Sequence, residues 1–286
     1  MRFRFIKQHA HQYKVGRMCR VLQVSRAGYY AWRRRGPTVR QDANGQLLEL
    51  LRQLFLKYRK RYGYRRIHAV AREEIPCGIH RVARLMRQDG LRVQRRRSYR
   101  VTTQSKHKLP VAPNILGQDF RAAAPNQIWL SDITYVPTRQ GWLYLAVVLD
   151  LYARRVVGWG MTSHLGDILT RSALQMALKR RQPGPALLHH SDRGIQYASR
   201  SYRNLLTVQG VTISMSRKGN AQDNAPMESF FATLKKELIH RLDYQTRNEA
   251  RTSIFEYIEG FYNPVRIHSA LRYHTPIDYE ALFISP

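Results

Sequence analysis

The period of the hydrophobic positions changes near residue 127. Before that point apolar residues recur every three or four positions, as on one face of a helix. Val15, Met18, Cys19 and Leu22 follow this spacing. Ser25 can cap a second short helix carrying Tyr29, Tyr30 and Trp32, which ends at Arg33-Arg-Arg-Gly-Pro37. Residues 13–35 thus predict two short helices about a tight turn, a spacing that suits a helix-turn-helix as well as an ordinary helical hairpin. Leu47, Leu48, Leu50, Leu51, Leu54 and Phe55 predict an amphipathic helix over 43–60. Further helices are expected over 62–72 and 79–88, with Pro76-Cys-Gly78 turning between them and Asp89-Gly90 ending the second. In that last helix Val82, Leu85 and Met86 face inward, while Arg81, Arg84 and Arg87 face outward. Residues 91–100 follow as a basic extended arm, and 101–126 show little periodicity, with prolines at 110, 113 and 125.

Beyond residue 127 the pattern is that of strands. Residues 128–136 alternate, Gln140-Gly141 turns, 142–152 form a continuous apolar run and 156–161 a third strand. A helix over 167–180, a strand over 186–190, a helix over 199–209 and a strand over 211–215 come next. Asn224 or Ala225 starts a helix with Pro226 in its first turn, running through Leu238. Thr246-Arg-Asn-Glu249 is a capping box opening a helix to Phe261. The order βββαβαβα predicts a three-stranded meander continued by α/β units on a mixed sheet.

Charge divides the chain at nearly the same place. The formal net charge is +30, but residues 1–108 hold 29 Lys and Arg against 5 acids, and residues 109–286 hold 20 against 14. A field of that sign and size points to a polyanion, with nucleic acid first. A basic membrane-surface protein is the other candidate, against which stand the absence of a lipidation motif and of any apolar run of membrane-spanning length. Two cysteines, Cys19 and Cys77, are too few for a disulfide framework or a zinc knuckle and read as free thiols in a reducing, cytoplasmic setting. The division expected is a small helix-turn-helix-like segment (1–36), a basic helix-turn-helix DNA-binding region (37–107), a linker (108–124) and an α/β catalytic core with a helical tail (125–286). Arg65, Arg66, Arg81, Arg84, Arg95, Arg96 and Arg97 are the candidate DNA contacts in the basic region.

Few acids remain in so basic a chain, and three stand out by context. Asp132 lies inside an apolar strand, Asp192 ends another, and Glu228 begins a helix. Glu228 and Lys235 share one face of that helix, two turns apart. Singly, each acid reads as readily as a turn residue or a helix-dipole partner. Together, beside a DNA-binding half, they form an all-oxygen donor set that suits Mg²⁺ or Mn²⁺ rather than zinc. Two such ions are the usual device for phosphoryl transfer.

The segments Trp129-Leu-Ser-Asp-Ile-Thr-Tyr135, Trp142-Leu-Tyr-Leu-Ala-Val-Val-Leu-Asp150, His190-Ser-Asp-Arg-Gly-Ile-Gln-Tyr197 and Gly219-Asn-Ala-Gln-Asp-Asn-Ala-Pro-Met-Glu-Ser-Phe-Phe231 resemble the DDE core of IS3-family transposases, in particular the product of their second reading frame. The resemblance extends to Tyr62-Gly-Tyr-Arg-Arg-Ile67 and to the tail from Phe261, and so covers nearly the whole chain. One departure is Ala221-Gln222, where relatives often carry a small residue followed by an aromatic. The resemblance implies an RNase H-like core similar to retroviral integrases. It implies a reaction that cuts element ends and joins the exposed 3′-hydroxyls to DNA without a covalent protein intermediate. Asp132, Asp192 and Glu228 would then be catalytic metal ligands, Lys235 a phosphate or terminal-base contact, and His190, Asn220 and Asn224 possible neighbours of the site. For His190 a hydrogen-bonded structural role is an equal reading. Terminal repeats and target DNA are the implied partners, with a homo-oligomer on DNA and an upstream reading-frame product fused to or associated with this chain. Two rival readings remain: a non-catalytic DNA-binding accessory that needs the upstream product, and a metal-dependent nuclease that cuts without joining.

Overall fold

In the computed structural model, which describes residues 1–35, 38–93 and 109–284, the chain divides into two units, Met1–Val93 and Gln94–Pro286. The first is helical. α1 (Arg2–His9), α2 (Val15–Val21) and α3 (Arg26–Arg34) close around Ile6, Met18, Cys19 and Tyr29. The sequence pattern missed α1 because only Ile6 of its eight residues is buried, which leaves no stripe to read. Ser25 caps α3 as expected, its hydroxyl accepting from Gly28 N at 2.8 Å.

α4 (Val39–Lys57), α5 (Tyr64–Glu74) and α6 (Ile79–Gln88) pack on one another through Leu47, Leu51, Leu54, Phe55, Ile67, Val82, Leu85 and Met86, all buried. α4 starts four residues earlier than its apolar stripe predicts, at a capping box in which Thr38 and Gln41 exchange side-chain and backbone hydrogen bonds. Tyr62 stays outside α5, fully buried and stacked on Tyr58 at 4.1 Å. Cys19 is buried, whereas Cys77 is only half-buried.

The second unit holds a five-stranded sheet in the order β3-β2-β1-β4-β5. β1 (Ile128–Thr138), β2 (Gly141–Asp150) and β3 (Arg155–Thr162) form the antiparallel meander; β4 (Leu188–Ser191) and β5 (Thr212–Met215) add parallel to the other side of β1. Leu130, Val136, Leu145, Val147 and Leu149 line one face. α10 (Ala225–Glu237) and α11 (Arg247–Tyr257) cover that face with Met227, Phe230, Phe231, Leu234, Ile254 and Tyr257. Trp129, Ala146, Val148 and Val157 line the other, under α7 (Asp167–Arg181) and α9 (Arg200–Val208). The remaining helices are α8 (Ile195–Ala198), a short turn that the sequence pattern did not predict, and α12 (Pro276–Ile284).

Close packing of α7 on β3 depends on two glycines. A Cβ on Gly158 would lie 2.2 Å from Ala173 O, and one on Gly160 would lie 2.6 Å from Leu169 O. Residues 109–126, read from sequence as part of an unpatterned stretch, are docked on the core instead. Ile115 N and Leu116 N both donate to Ser214 Oγ, at 2.9 and 3.2 Å, and Leu116 is buried. Side-chain bonds to β5 leave no periodic signature in the sequence. Among the described residues no helix is long and apolar enough to cross a membrane.

Candidate active site

Asp132 sits on β1, the central strand, and alternation puts it on the same face as Leu130 and Val136, the face covered by α10. The parallel register pairs Ser131 with Ser191, so Asp192, the next residue, leaves the carboxyl end of β4 beside Asp132. Adjacent strands lie about 4.8 Å apart. α10 brings Glu228 in its first turn and Lys235 two turns on, over the same strand. Sheet register therefore sets Asp132 and Asp192 on neighbouring strands, and one helix carries both Glu228 and Lys235.

Their electrostatics are those of a cluster of like charges. Burial pushes the Asp132 carboxyl well above its usual range, and the like charges of Asp192 and Glu228 push it further, while the Ile133 amide at 2.7 Å and Lys235 act the other way. Desolvation also raises Glu228, whose side chain is largely exposed, and lowers the Lys235 ammonium despite the attraction of Asp132. The Asp192 carboxylate accepts from Gly194 N at 2.8 Å, which holds the turn after β4. A Cβ at Gly194 would lie 2.9 Å from that same oxygen. Repulsion among neighbouring carboxylates is what a bound cation would relieve, and hard carboxylate oxygens are the donors that Mg²⁺ and Mn²⁺ take. Among the described residues, no three Asp, Glu, His or Cys side chains are drawn together tightly enough to hold an ion as they stand. The triplet is a pair on adjacent strands with a third acid on the covering helix.

The three candidate neighbours separate. His190 belongs to the core: its Nδ1 meets Ser214 Oγ at 2.8 Å and its Nε2 meets Ser216 Oγ at 3.1 Å. Burial lowers this imidazole to about 4. Asn220 caps the turn before α10, its Oδ1 accepting from Gln222 N at 3.2 Å. Asn224 ties the start of α10 to β1, donating from Nδ2 to the carbonyl of Ser131, the residue before Asp132, at 3.2 Å.

Sequence reasoning missed two groups. Asp223 is fully buried and accepts from Arg217, Asn114 and Gln118, fastening the turn before α10 to the segment ahead of β1. Its neighbours hold its carboxyl far below the usual range, the Arg217 side chain most of all. Tyr197 is buried, its hydroxyl without a partner among the described residues, and close enough to Asp132 and Asp192 to feel both. Asp-Asn before a helix and a tyrosine in a short turn are too common for spacing alone to single them out.

In the helical unit, Arg65 and Arg84 are exposed on α5 and α6. Arg66 lies over the Tyr62 ring, and Arg81 donates to Asn44 Oδ1 at 2.8 Å, which ties part of the predicted basic face into the fold. Arg95, Arg96 and Arg97 lie outside the described residues.

Comparison with known proteins agrees with this architecture. Residues 122–221 and 228–282 each match an integrase core domain, and residues 42–99 match an HTH-like domain. The fold is thus an integrase-type, RNase H-like core with a helix-turn-helix-like region ahead of it. An uncharacterized 31 kDa protein of insertion element IS600 from Shigella sonnei is 46% identical over 89% of this chain and 94% of its own length. The transposase InsF of insertion sequence IS3A from Escherichia coli K12 is 41% identical over 94% of each chain. The transposase of element IS904 from Lactococcus lactis is 42% identical over 86% of this chain and 98% of its own. The chain belongs to the IS3-family transposases. Among solved structures, the HTLV-2 integrase catalytic core in complex with magnesium gives a looser match, 16% identical over 56% of this chain and 99% of that chain, with a TM-score of 0.44.

Proposed function

We propose that this transposase cuts DNA at the ends of its insertion sequence and joins the resulting 3′-hydroxyls to a second phosphodiester by metal-assisted transesterification. The observation that carries this reading is the half-buried Asp132 carboxyl on the central strand, pushed up by desolvation and then by Asp192 and Glu228, and drawn the other way by Lys235. In this reading Asp132, Asp192 and Glu228 hold Mg²⁺ or Mn²⁺, two ions in the complete site. Bound there, the ions would activate the attacking oxygen and stabilise the leaving one. Lys235 places a partly desolvated ammonium where a phosphate oxygen can take its charge. Exposed Arg65 and Arg84 contact the DNA backbone, which supplies affinity without sequence. The exposed side chain of Glu228 fits a site that closes when DNA and metal arrive.

That openness also favours a second reading, a DNA-binding accessory whose core is idle without the upstream reading-frame product. One assay separates the readings, with the chain, alone or fused to that product, incubated with labelled element ends and Mg²⁺ or Mn²⁺. Joined products that vanish in Asp192→Asn, with DNA binding intact, support strand transfer. Joining unchanged by Asp192→Asn refutes the metal assignment. Cleavage without joining indicates a nuclease, and binding without chemistry, even in the fusion, indicates the accessory.

A further inference from the structure

A buried polar atom without a partner retains the full cost of leaving water, so such atoms are uncommon and informative. Asn224 carries one beside the acids. Its side chain belongs to a residue only 5% exposed. Nδ2 donates to Ser131 O at 3.2 Å, while Oδ1 has no partner among the described residues. Exchanging the two amide ends would set Oδ1 against the Ser131 carbonyl, acceptor against acceptor, so this bond decides which end is which. The amide is planar, and the anchored donor therefore also fixes the direction of the free acceptor. Ser131 immediately precedes Asp132, and Asn224 stands one helical turn before Glu228. Oδ1 is an acceptor held between the strand of one acid and the helix of another, with no donor among the described residues. An asparagine that served only to fasten α10 to β1 would need Nδ2 alone.

We propose that Asn224 Oδ1 accepts a hydrogen bond from the attacking nucleophile, water in end cleavage and the terminal 3′-hydroxyl in joining, and so aims its lone pair at the phosphorus. This rests on the strand-transfer reading above. The carboxyamide takes no proton and forms no covalent bond. It restricts one rotation of a hydroxyl whose own oxygen makes the new P–O bond as the bond to the leaving 3′-oxygen breaks, the hydroxyl's proton passing to solvent and the leaving oxygen taking one up from it. A neutral acceptor suits this place because a fourth carboxylate would add to the repulsion already centred on Asp132.

The test uses the full chain with Mn²⁺ and supercoiled plasmid, comparing Asn224→Ala, Asn224→Leu and Asp192→Asn. Loss of an aligned nucleophile predicts a fall in kcat of about 100-fold in both Asn224 variants, with KM for DNA within about threefold. Leu keeps the side-chain volume, so a packing role predicts near-normal turnover for Asn224→Leu, and that result would overturn the proposal. It is equally overturned if kcat falls only in step with the folded fraction measured by circular dichroism. If Asp192→Asn is inactive while both Asn224 variants turn over normally, the role of Asn224 alone fails. If Asp192→Asn stays active, the strand-transfer reading fails first.

Discussion

The helix that carries Glu228 ends in a buried ion pair, and breaking it should cost more than any surface change. Glu237 is 6% exposed and Arg266 is 3% exposed. Arg266 binds the carboxylate with two nitrogens, Nε to Oε2 at 2.9 Å and Nη2 to Oε1 at 2.8 Å, and the Tyr257 hydroxyl adds a third bond at 2.9 Å. α10, α11 and the tail thus meet at one side chain. In Glu237→Gln the guanidinium stays charged and buried without a counter-charge, which costs about 3–5 kcal/mol. At about 2–4 °C per kcal/mol for a unit of this size, melting should fall by roughly 6–20 °C. Urea unfolding should show a lower midpoint with an unchanged slope. The paired change Glu237→Met with Arg266→Met removes both charges and keeps most of the volume, and should recover to within about 1 kcal/mol of the wild type. A loss below about 1 kcal/mol for Glu237→Gln, or a double variant as unstable as the single one, would refute the reasoning.

Gly158→Ala puts a methyl against backbone atoms of α7 that cannot rotate away, at 2.2 Å from Ala173 O and 2.8 Å from Ala177 N. It should destabilise by at least about 1–3 kcal/mol in urea titration, and a neutral result would show that α7 sits further from β3. His190 has its imidazole lowered by burial from 6.5 to about 4. The unfolded chain therefore binds the proton more readily between those values, and stability falls as pH drops through that window. About 1.6 kcal/mol should go between pH 6.5 and 5 from this group, and His189, buried beside it and lowered to about 3, adds a similar loss, so His190→Gln should about halve the slope of urea midpoints across that range. Arg84→Ala should weaken DNA binding about equally for all sequences and reduce the salt slope by about one, as read by fluorescence anisotropy against salt. Arg81→Ala, which loses the bond to Asn44, should lower the melting temperature as well.

Much of this molecule was legible in its sequence. The change of hydrophobic period marks helices before residue 127 and strands after it. Charge separates a basic half from one that keeps its acids. Asp132, Asp192 and Glu228 could be named because an acid inside or at the end of an apolar strand, or in the first turn of an apolar helix, is visible in a local window. Partners distant in the chain were not visible. The α1 helix owes its place to one buried isoleucine, and the segment before β1 owes its place to Ser214, about a hundred residues away. His190, which the sequence left open between site and core, was decided by two serines on and just beyond β5. Most of all, the sequence could list three acids but could not place two of them on neighbouring strands and the third on the helix that covers the sheet. That required the parallel register of Ser131 with Ser191 and the packing of α10 on the central strand. A window of sequence reports periodicity and local chemistry, because those depend on neighbours along the chain. Register, burial and the unsatisfied oxygen of Asn224 depend on neighbours in space, which only the folded structure supplies.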